Sequence, residues 1–495
     1  MRTRIAAAAA VVALLAYAYV APGLRRHFIR DVITWDAEPR DTKPLPHAFG
    51  LGLQPWPRVR VILIDGLSAS TAATLTTWTS LCHRGIDMRV DIGFPTVSLP
   101  VQVSLWTGLT QQQTGIVYRS DRPLVPPLAT SIPAQVPGSR AVAENHGYIV
   151  RSIGFADVQP AAVDAQHPAK DADAEAWKTA WQAKAHEAIA SNARLAFVHV
   201  LRVDTWGHRT GRESDAYRKA ASESDAILAE LYAAAPDARW FLLTDHGHRA
   251  EGGHGGEERE LRQVQHCIVG PDVTPHKGSG PIHLVDMSRA LADSLNVTLD
   301  SRSRGRPLYA AMAAPLEGDD AVPAQPLGSG AIALFILALG VAASMWGFKR
   351  WWLSPAWFVL ACVLLVIVRG QPTMSMRMVY AGEGKTMYLA WLAALPIAAV
   401  TIWFGMRVTT LPRVLVSQLA LPFAMLAGTM TACNAWPGLF GGEVAPIVAR
   451  YTAYTSALYL ITAHGSAAVA LGVLARTVHS LFGRRRPAET TQSAT

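Results

Sequence analysis

One short stretch of the sequence combines aspartate and histidine side chains at a spacing that suits a divalent metal ion. Asp245 and His246 are adjacent, His248 follows two residues later, and His254 lies eight residues beyond His246 in a glycine-rich segment. Carboxylate oxygen and imidazole nitrogen together form the ligand mixture that zinc and similar ions favour in proteins. The stretch therefore predicts part of a metal site whose remaining ligands come from elsewhere in the chain.

A buried strand is predicted directly before this stretch, because residues 240–243 form an uninterrupted apolar run. Open α/β sheets place their ligand chemistry at the carboxyl ends of the strands. Three further stretches bring polar side chains to the end of a predicted strand or to the start of a predicted helix. They contribute Asp65, Ser98, Asp204 and His208.

Two metal ions can be shared among these residues. Asp65, Ser98, Asp245 and His246 are predicted to hold one ion, and Asp204, His208 and His254 the other. Two ions about 4 Å apart stabilise the attacking and leaving oxygens of an in-line displacement at phosphorus. A serine activated by one of them is a nucleophile at neutral pH, and the N-terminus of its helix attracts an anion. The set predicts phosphoryl transfer with Ser98 as the nucleophile, and attack by Thr96 or by a metal-activated water is the alternative.

The elements that position these residues alternate between strand and helix. Strands are predicted at 58–64, 147–155, 195–201, 240–243 and 264–269, and helices at 70–82, 174–191, 214–234 and 282–297. Such alternation indicates a mostly parallel sheet with helices on both faces. The predicted fold class is therefore α/β.

In this order the motifs resemble those of the alkaline phosphatase superfamily, in particular its type I phosphodiesterase/nucleotide pyrophosphatase branch. The shared pattern is strand-Asp-Gly, Pro-Thr-x-Ser/Thr-x-Pro, Asp-x-x-x-His, Asp-His-Gly and Gly-x-His-Gly, and it spans roughly residues 58 to 310. The resemblance implies an alkaline phosphatase-like domain that binds two divalent metal ions, with zinc expected. It also implies that Ser98 carries the phosphoryl group, since every ligand position of the pattern is filled.

The sequence differs at two points from the patterns of the phosphodiesterases and the sulfatases, and these differences restrict the reactions that we expect. The phosphodiesterases carry Asn three residues after the nucleophile, where it helps hold the phosphoryl oxygens, but Val101 stands here and Gln102 follows it. Type I sulfatases need the pattern Cys/Ser-x-Pro-x-Arg, and Gln102 occupies the place of that Arg, so sulfatase chemistry is disfavoured. The sequence also lacks the Walker A loop and the glycine motif of dinucleotide-binding proteins.

Charge is distributed unevenly along the 495 residues, whose net charge is +8. From residue 326 onward there are 12 Lys and Arg residues but only 3 Asp and Glu residues, whereas the first 325 residues hold 33 basic and 34 acidic ones. The basic excess thus belongs to an apolar C-terminal region, which does not indicate a nucleic-acid partner. It fits the positive-inside pattern of membrane proteins.

Apolar segments of about 20 residues predict an integral membrane protein. A charged start and an apolar run at 5–20 favour an uncleaved signal anchor over a cleaved signal peptide, and five further apolar stretches lie between 331 and 475. Six spans are expected in total, with five or seven as the alternatives. In a bacterium this places the protein in the inner membrane with its catalytic domain in the periplasm.

The predicted domains follow from these segments. They are a signal anchor and transmembrane span at 1–26, a tether at 27–57, an exported catalytic domain at 58–326, a transmembrane bundle of about five α-helices at 327–480 and a cytoplasmic basic tail at 481–495. An exported domain between an N-terminal span and a multispan region is similar to the GPI ethanolamine-phosphate transferases in architecture. A lipid substrate is expected on that basis.

Residues outside the motifs receive more general predictions. Cys82 and Cys267 are predicted to be two buried thiols rather than a disulfide, because the four cysteines show no paired spacing. His199, in the middle of a predicted strand, is predicted to be a hydrogen-bonded core residue. His248 is placed near the site with a supporting or surface role. His464, within the last apolar stretch, either bonds inside the bundle or contacts substrate.

The sequence as a whole predicts a membrane-bound, two-metal phosphotransferase. It is expected to act on a phosphodiester of a lipid or lipid-linked substrate through a phosphoserine, and phosphoethanolamine transfer is the leading interpretation by resemblance. A metal-dependent phosphodiesterase or phosphatase, with water as the only acceptor, is the first alternative. A non-catalytic membrane transport or assembly protein with a binding ectodomain is the second.

Overall fold

A computed structural model describes the part of the chain that contains the predicted catalytic domain. The described residues are 52–93, 95–116, 130–145, 147–159, 171–250, 252–256 and 258–316, together with 5, 8–9, 11–20, 23–24, 335, 338, 470 and 474. Apart from those scattered positions, the predicted tether up to residue 51 and the predicted bundle and tail lie outside this part, as does His464. Among the described residues, no helix is both long enough and apolar enough to cross a membrane.

The described residues form one sheet flanked by helices. The strands are Val59–Ile64 (β1), Ile86–Asp91 (β2), Arg140–Ala143 (β3), Asp157–Gln159 (β4), Leu195–Val200 (β5), Arg239–Leu243 (β6), Gln263–Val269 (β7), His276–Lys277 (β8) and Ile282–His283 (β9). The helices are Ala69–Ala72 (α1), Thr76–His83 (α2), Ser98–Thr107 (α3), Gln111–Thr114 (α4), Gly147–Arg151 (α5), Asp171–Ala190 (α6), Arg202–Thr210 (α7), Asp215–Ala234 (α8), Arg259–Arg262 (α9), Leu284–Leu295 (α10) and Leu308–Ala313 (α11).

The centre of the sheet is parallel, as predicted. The strand order is β4-β3-β5-β1-β6-β7-β2-β8, and β9 pairs with β2. Strands β3, β5, β1 and β6 run parallel to one another, whereas β7 is antiparallel to both β6 and β2. The mixed edge was not expected, because a continuous apolar run does not show the direction of a strand.

Helices cover both faces of the sheet because the strands are apolar on both sides. In β1, Val59 and Leu63 belong to one core cluster, and Ile62 and Ile64 belong to the other. The first cluster includes residues of α3, α5, α10 and α11, and the second includes residues of α2, α6 and α8. The two-layer burial fixes the register of the central strands, since a shift by one residue would exchange their two faces.

A buried arginine holds the α6–β5 connection at the end of the sheet that lies opposite the predicted site. Arg60 on β1 is fully buried and donates hydrogen bonds of 2.7, 2.8 and 2.6 Å to the carbonyl oxygens of Ile189, Ala193 and Ser191. Burial lowers the pKa of this guanidinium to about 10, so it stays charged at neutral pH. These carbonyls end α6 and lead into β5, so Arg60 holds the connection that aligns β5 beside β1.

Two of the predicted secondary-structure elements are wrong. Residues 147–155 were expected to form a strand, but they begin with helix α5, in which Ile149 and Val150 are buried together with the following Ile153. Their spacing of one and four residues is helical, and it outweighs the strand preference of β-branched side chains. The predicted helix at 70–82 is instead interrupted between α1 and α2.

The two buried cysteines of the domain form a disulfide, contrary to the prediction of free thiols. Cys82 at the end of α2 and Cys267 on β7 are joined, with their Cα atoms 5.3 Å apart. Packing of α2 against β7 brings together positions 185 residues apart in the sequence, at a Cα separation ordinary for a disulfide. Cysteine spacing alone cannot reveal such a pair.

Candidate metal and phosphoryl-transfer site

Three neighbouring strands bring the predicted acidic ligands to one edge of the sheet. Asp65 directly follows β1, Asp245 lies two residues beyond β6, and Asp204 lies in α7, which follows β5. Because β5 and β6 flank β1 in parallel register, their carboxyl ends meet at the same edge. The structure therefore brings together the three carboxylates that the sequence predicts as ligands, and all three are buried.

The first cluster of the site surrounds the Ser98 hydroxyl. Ser98 Oγ lies 3.3 Å from Asp65 Oδ1 and 3.2 Å from His246 Nε2, and these two atoms are themselves 3.3 Å apart. Asp245 Oδ1 lies 3.9 Å from His246 Nε2. Neighbouring ligands of a tetrahedral zinc ion with bonds of about 2.1 Å are about 3.4 Å apart. The donor atoms of this cluster fit the spacing and chemistry of one divalent ion.

The second cluster surrounds Asp204. The Nε2 atoms of His208 and His254 each lie 3.4 Å from Asp204 Oδ1 and 3.0 Å from each other. This triangle also matches the ligand spacing of one ion. The rings of His246 and His254 stack with their centroids 3.7 Å apart, so the two clusters are adjacent. The seven predicted residues thus lie in two adjacent groups. The donor atoms of His246 and His248 also lie within 4.8 Å of those of Asp204 and His254, so the division of the ligands between two ions stays a prediction.

Backbone carbonyls orient two of the imidazoles toward the site. His254 Nδ1 lies 2.7 Å from the carbonyl oxygen of Thr96, and His246 Nδ1 lies 3.1 Å from that of Gly247. A carbonyl oxygen only accepts hydrogen bonds, so Nδ1 carries the proton in each ring. With Nδ1 as the donor, Nε2 is the atom of each ring that faces the clusters, which is the arrangement usual for metal-binding histidines.

Buried charges dominate the electrostatics of the first cluster. Burial, together with the charge of Asp65, raises the pKa of Asp245 to about 6. Burial acts to lower the pKa of His246, but the carboxylates of Asp245 and Asp65 outweigh it and raise that pKa to about 10. Burial and the charge of Asp204 act upward on the pKa of Asp65, yet hydrogen bonds from His199 and His246 hold it below its usual value. A bound cation would offset this concentration of acidic groups.

The second cluster contains one histidine, His254, that is held in its neutral form. Burial, reinforced by the positive charge of His246, keeps the pKa of His254 well below its usual value. Burial opposes ionisation of Asp204, but the charge of His208 and the hydrogen bond from His248 keep the pKa of this carboxyl well below its usual range. An ionised carboxylate beside a neutral imidazole is the protonation state that metal binding needs.

Of the two candidate hydroxyl nucleophiles, only Ser98 borders the clusters. Ser98 begins α3 and is partly exposed, whereas Thr96 is fully buried. The Thr96 hydroxyl donates to the Gly256 carbonyl at 2.8 Å and accepts from the Gly255 amide at 2.9 Å. Thr96 therefore fixes the glycine-rich loop that carries His254, and it also orients His254 through its carbonyl oxygen.

Three further polar side chains contact the predicted ligands. His248 Nε2 lies 2.9 Å from Asp204 Oδ1, His199 Nε2 lies 2.9 Å from Asp65 Oδ2, and Gln102 Nε2 lies 3.2 Å from Asp245 Oδ2. All three residues are fully buried. The sequence places His248 near the site but gives it no partner, and it treats His199 as an ordinary core residue. A histidine inside an otherwise apolar strand, beside a strand that ends in a ligand, is the signal for His199.

Val101 and Gln102 do not line the mouth of the site. Val101 is buried in the core cluster of α3, and the Gln102 side chain is directed at Asp245. Neither replaces the asparagine that the phosphodiesterases carry three residues after their nucleophile. The sequence difference at these two positions therefore affects the residues that contact the Asp245 carboxylate.

Comparison with known proteins bears on the family. Residues 130–257 match the family described as type I phosphodiesterase/nucleotide pyrophosphatase. This segment contains Asp204, His208, Asp245, His246 and His254. No curated protein sequence matches the chain significantly.

The chain is also similar to several solved structures, at low sequence identity. Murine ectonucleotide pyrophosphatase/phosphodiesterase 5 is 14% identical, with 50% of this chain and 97% of that chain covered and a TM-score of 0.41. Its human counterpart is 13% identical, with 51% and 99% covered and a TM-score of 0.41. An alkaline phosphatase superfamily protein from Vibrio parahaemolyticus is 14% identical, with 60% and 80% covered and a TM-score of 0.40. The assignment below rests on the family match, because these similarities are low.

The family match confirms the resemblance predicted from the motifs, while the similarity to GPI ethanolamine-phosphate transferases stays a prediction. Residues 130–257 match the type I phosphodiesterase/nucleotide pyrophosphatase family. Together with the clusters of Asp and His residues, this match identifies the chain as a metal-dependent enzyme that acts on phosphoesters.

Proposed function

We propose that the protein is a membrane-bound phosphotransferase that acts on a phosphodiester of a lipid or lipid-linked donor, with Ser98 as the covalent carrier. The position of the Ser98 hydroxyl carries this proposal. Its oxygen lies within 3.3 Å of both Asp65 Oδ1 and His246 Nε2, at the start of the ten-residue helix α3. The unpaired amides of a helix N-terminus attract the phosphoryl oxygens of a substrate.

The reaction has two displacements at phosphorus. In the first, Ser98 Oγ loses its proton and bonds to phosphorus while the bond to the leaving ester oxygen breaks, and that oxygen takes up a proton. In the second, an acceptor hydroxyl loses its proton and bonds to phosphorus while the Ser98 Oγ–P bond breaks. The serine recovers a proton, so it is regenerated after each turnover.

The two clusters have distinct tasks in this scheme. Divalent ions, zinc being expected, on Asp65, Asp245 and His246 and on Asp204, His208 and His254 would lower the pKa of the Ser98 hydroxyl and stabilise the leaving oxygen, respectively. Five of these six side chains are buried, whereas the His208 side chain is 43% exposed, and the Nδ1 protons of His246 and His254 are directed away from the clusters. Preorganised donors need no rearrangement as charge develops on the reacting oxygens.

An exported, membrane-bound location is part of the proposal. The predicted signal anchor and C-terminal apolar stretches support it, and so does the disulfide between Cys82 and Cys267, because disulfides persist mainly in oxidising compartments. A membrane bundle in the same chain would keep the site close to lipid headgroups. We therefore place a lipid or lipid-linked phosphodiester first among the substrates, with phosphoethanolamine as the transferred group.

A simple hydrolase is the second candidate function, and the family match favours it, since the matching family is that of phosphodiesterases. Water would then be the only acceptor for the phosphoserine. Incubation of the purified protein with a phosphodiester and added alcohols separates the two functions. Transfer to an alcohol supports the transferase, and release of the phosphoryl group only to water supports the hydrolase.

Substitution of Ser98 tests the chemistry common to both functions. We expect Ser98→Ala to abolish turnover while the metal content stays that of the unaltered protein. Mass spectrometry of rapidly quenched reactions should find a phosphoryl group on Ser98. Ser222→Ala, which alters an exposed serine of α8, is the matched control and should be fully active. Undiminished turnover by Ser98→Ala would disprove the nucleophile assignment.

Comparison of membrane lipids tests the substrate. Cells that produce the unaltered protein and cells that produce Ser98→Ala should differ in a lipid or lipid-linked species by the mass of one phospho-substituent. Identical lipid profiles would remove the lipid substrate from the proposal and leave the phosphoester chemistry in place.

A further inference from the structure

The two carboxylates of the Ser98 cluster each direct Oδ1 toward the cluster and Oδ2 toward a buried side-chain nitrogen, and Asp245 Oδ1 also accepts from the Gly66 amide at 3.1 Å. Oδ1 of Asp65 lies 3.3 Å from both Ser98 Oγ and His246 Nε2, and Oδ1 of Asp245 lies 3.9 Å from His246 Nε2. Oδ2 of each carboxylate faces away from the cluster and meets a buried nitrogen. His199 Nε2 lies 2.9 Å from Asp65 Oδ2, and Gln102 Nε2 lies 3.2 Å from Asp245 Oδ2.

The two buried donors also contact each other. Gln102 Nε2 lies 3.2 Å from His199 Nε2, and both residues have fully buried side chains. Since an ionised carboxylate only accepts, His199 donates its Nε2–H to Asp65 and Gln102 donates an amide hydrogen to Asp245. Burying an imidazole and an amide costs free energy that apolar residues at these positions would avoid. The positions are therefore polar for a reason other than packing.

The pair connects three elements of the site. His199 lies on β5 and pairs with Leu63 of β1. Leu63 precedes Asp65 by two residues. Gln102 lies on α3 one helical turn beyond Ser98, on the same side of the helix. Any movement of α3 that displaced Ser98 would also displace Gln102 from Asp245.

We propose that Gln102 and His199 are positioning residues that hold Asp65 and Asp245 with Oδ1 toward the Ser98 cluster. By this contact they set the affinity of the cluster for its divalent ion and the placement of Ser98 relative to it. The inference rests on the proposed metal site, but it adds two residues that are not ligands. Residues that orient metal ligands in this way typically contribute 10–100-fold to metal affinity.

The test measures metal affinity in the purified full-length protein. Gln102→Met and His199→Phe remove each donor and keep most of the side-chain volume. We expect each variant to bind one of two zinc ions about 10–100-fold more weakly in competition with a chelator, with the other ion little affected. The visible spectrum of cobalt in the weakened site should change, and kcat should fall more than KM rises.

Two further variants separate positioning from a general effect on folding. Gln111→Met removes another buried glutamine, which donates to the Ile92 carbonyl at 2.8 Å and contacts no ligand, so zinc affinity should be unchanged. His199→Gln places an amide N–H near the former Nε2–H and should restore part of the affinity that His199→Phe loses. Recovery by this conservative change is not expected if His199 only fills space.

Each other outcome overturns the inference. Unchanged zinc affinity in Gln102→Met and His199→Phe removes the positioning role, and equal loss of both ions with a collapse of thermal stability shows a structural role only. An unaltered protein that binds no divalent ion contradicts both this inference and the proposed metal site. Continued turnover by Ser98→Ala contradicts the proposed function alone, because the affinity measurements do not depend on turnover.

Discussion

At the residue scale, His248 shows how one side chain can support a ligand without belonging to the recognised motif. Its ring packs against the backbone of Gly66 and Gly207, where an added Cβ would collide with ring atoms. Burial, opposed by the hydrogen bond to Asp204, lowers the pKa of His248 to about 4. At neutral pH the ring is therefore uncharged and donates its Nε2–H to the carboxylate.

The substitution His248→Phe should weaken binding of the ion that Asp204 holds. The change keeps the ring volume between the two glycines but removes the donor, and we expect about tenfold lower affinity for that ion. Chelator competition followed by metal analysis measures the effect. The exposed His186 on α6 supplies the control variant His186→Phe, which should bind zinc normally. Equal affinities in the two variants would show that His248 has no part in holding Asp204.

His266 gives a pH dependence that is separate from the ligands themselves. It is fully buried, its Nε2 lies 2.7 Å from the Thr244 carbonyl oxygen, and burial lowers its pKa to about 4. Between pH 6.5 and 4 the unfolded chain binds a proton at this histidine that the folded chain does not bind. This residue therefore lowers the free energy of unfolding as the pH falls through that range, by at most about 3 kcal/mol.

The variant His266→Gln should lose this part of the pH dependence. Glutamine can keep the N–H donated to Thr244 but does not titrate. The difference in unfolding free energy between the two proteins, measured in urea at pH 7 and at pH 4.5, should shift in favour of the variant at the lower pH. A difference that does not change with pH would contradict the assignment.

At the element scale, Glu144 determines where the helix that carries Asp204 begins. It lies just after β3 and is buried, and its carboxylate accepts from the backbone amides of Leu201 and Arg202 at 2.8 and 3.1 Å. The Arg202 guanidinium pairs with the same carboxylate at 2.8 Å. A negative charge at this position favours the start of α7, because the first amides of a helix have no partner within the helix.

Removal of this carboxylate should destabilise the domain strongly. Glu144→Ala leaves two amides without their acceptor and removes the closer of two acidic partners of a largely buried arginine, and we expect a loss of about 3–5 kcal/mol in unfolding free energy. Arg202 has a second partner, Glu223, at 3.3 Å, whose side chain is 40% exposed. Glu223→Ala is thus the matched control and should cost no more than about 1 kcal/mol. Similar denaturation midpoints for the two variants would contradict this role of Glu144.

The same scale shows which elements a sequence can predict. Strands β1, β5 and β6 are mostly apolar runs between polar stretches, so their positions and the acidic residues at their ends follow directly. Helix α5 is rich in β-branched residues and resembles a strand, and the direction of β7 depends on a pairing that leaves no local pattern. The roles of Gln102 and His199 depend on the strand order β5-β1-β6 and on how α3 packs, so they emerge only from the fold.

At the scale of the whole molecule, the disulfide joins the start and end of the segment that carries most of the site. Cys82 and Cys267 are separated by 185 residues, and Ser98, Asp204 and Asp245 lie between them. A cross-link that closes a long loop lowers the entropy of the unfolded chain, which stabilises the fold by about 3–5 kcal/mol. The disulfide persists mainly in an oxidising compartment, so the stability of the domain should depend on export.

The double variant Cys82→Ala/Cys267→Ala tests this dependence in the full-length protein. Its catalytic domain should unfold at a lower guanidinium concentration, as followed by protease susceptibility, and reductant should lower the midpoint of the unaltered protein but not that of the variant. Cys362→Ala, in the predicted membrane bundle, is the control and should retain the response to reductant. A midpoint that is unchanged in the double variant would show that the disulfide does not stabilise the domain.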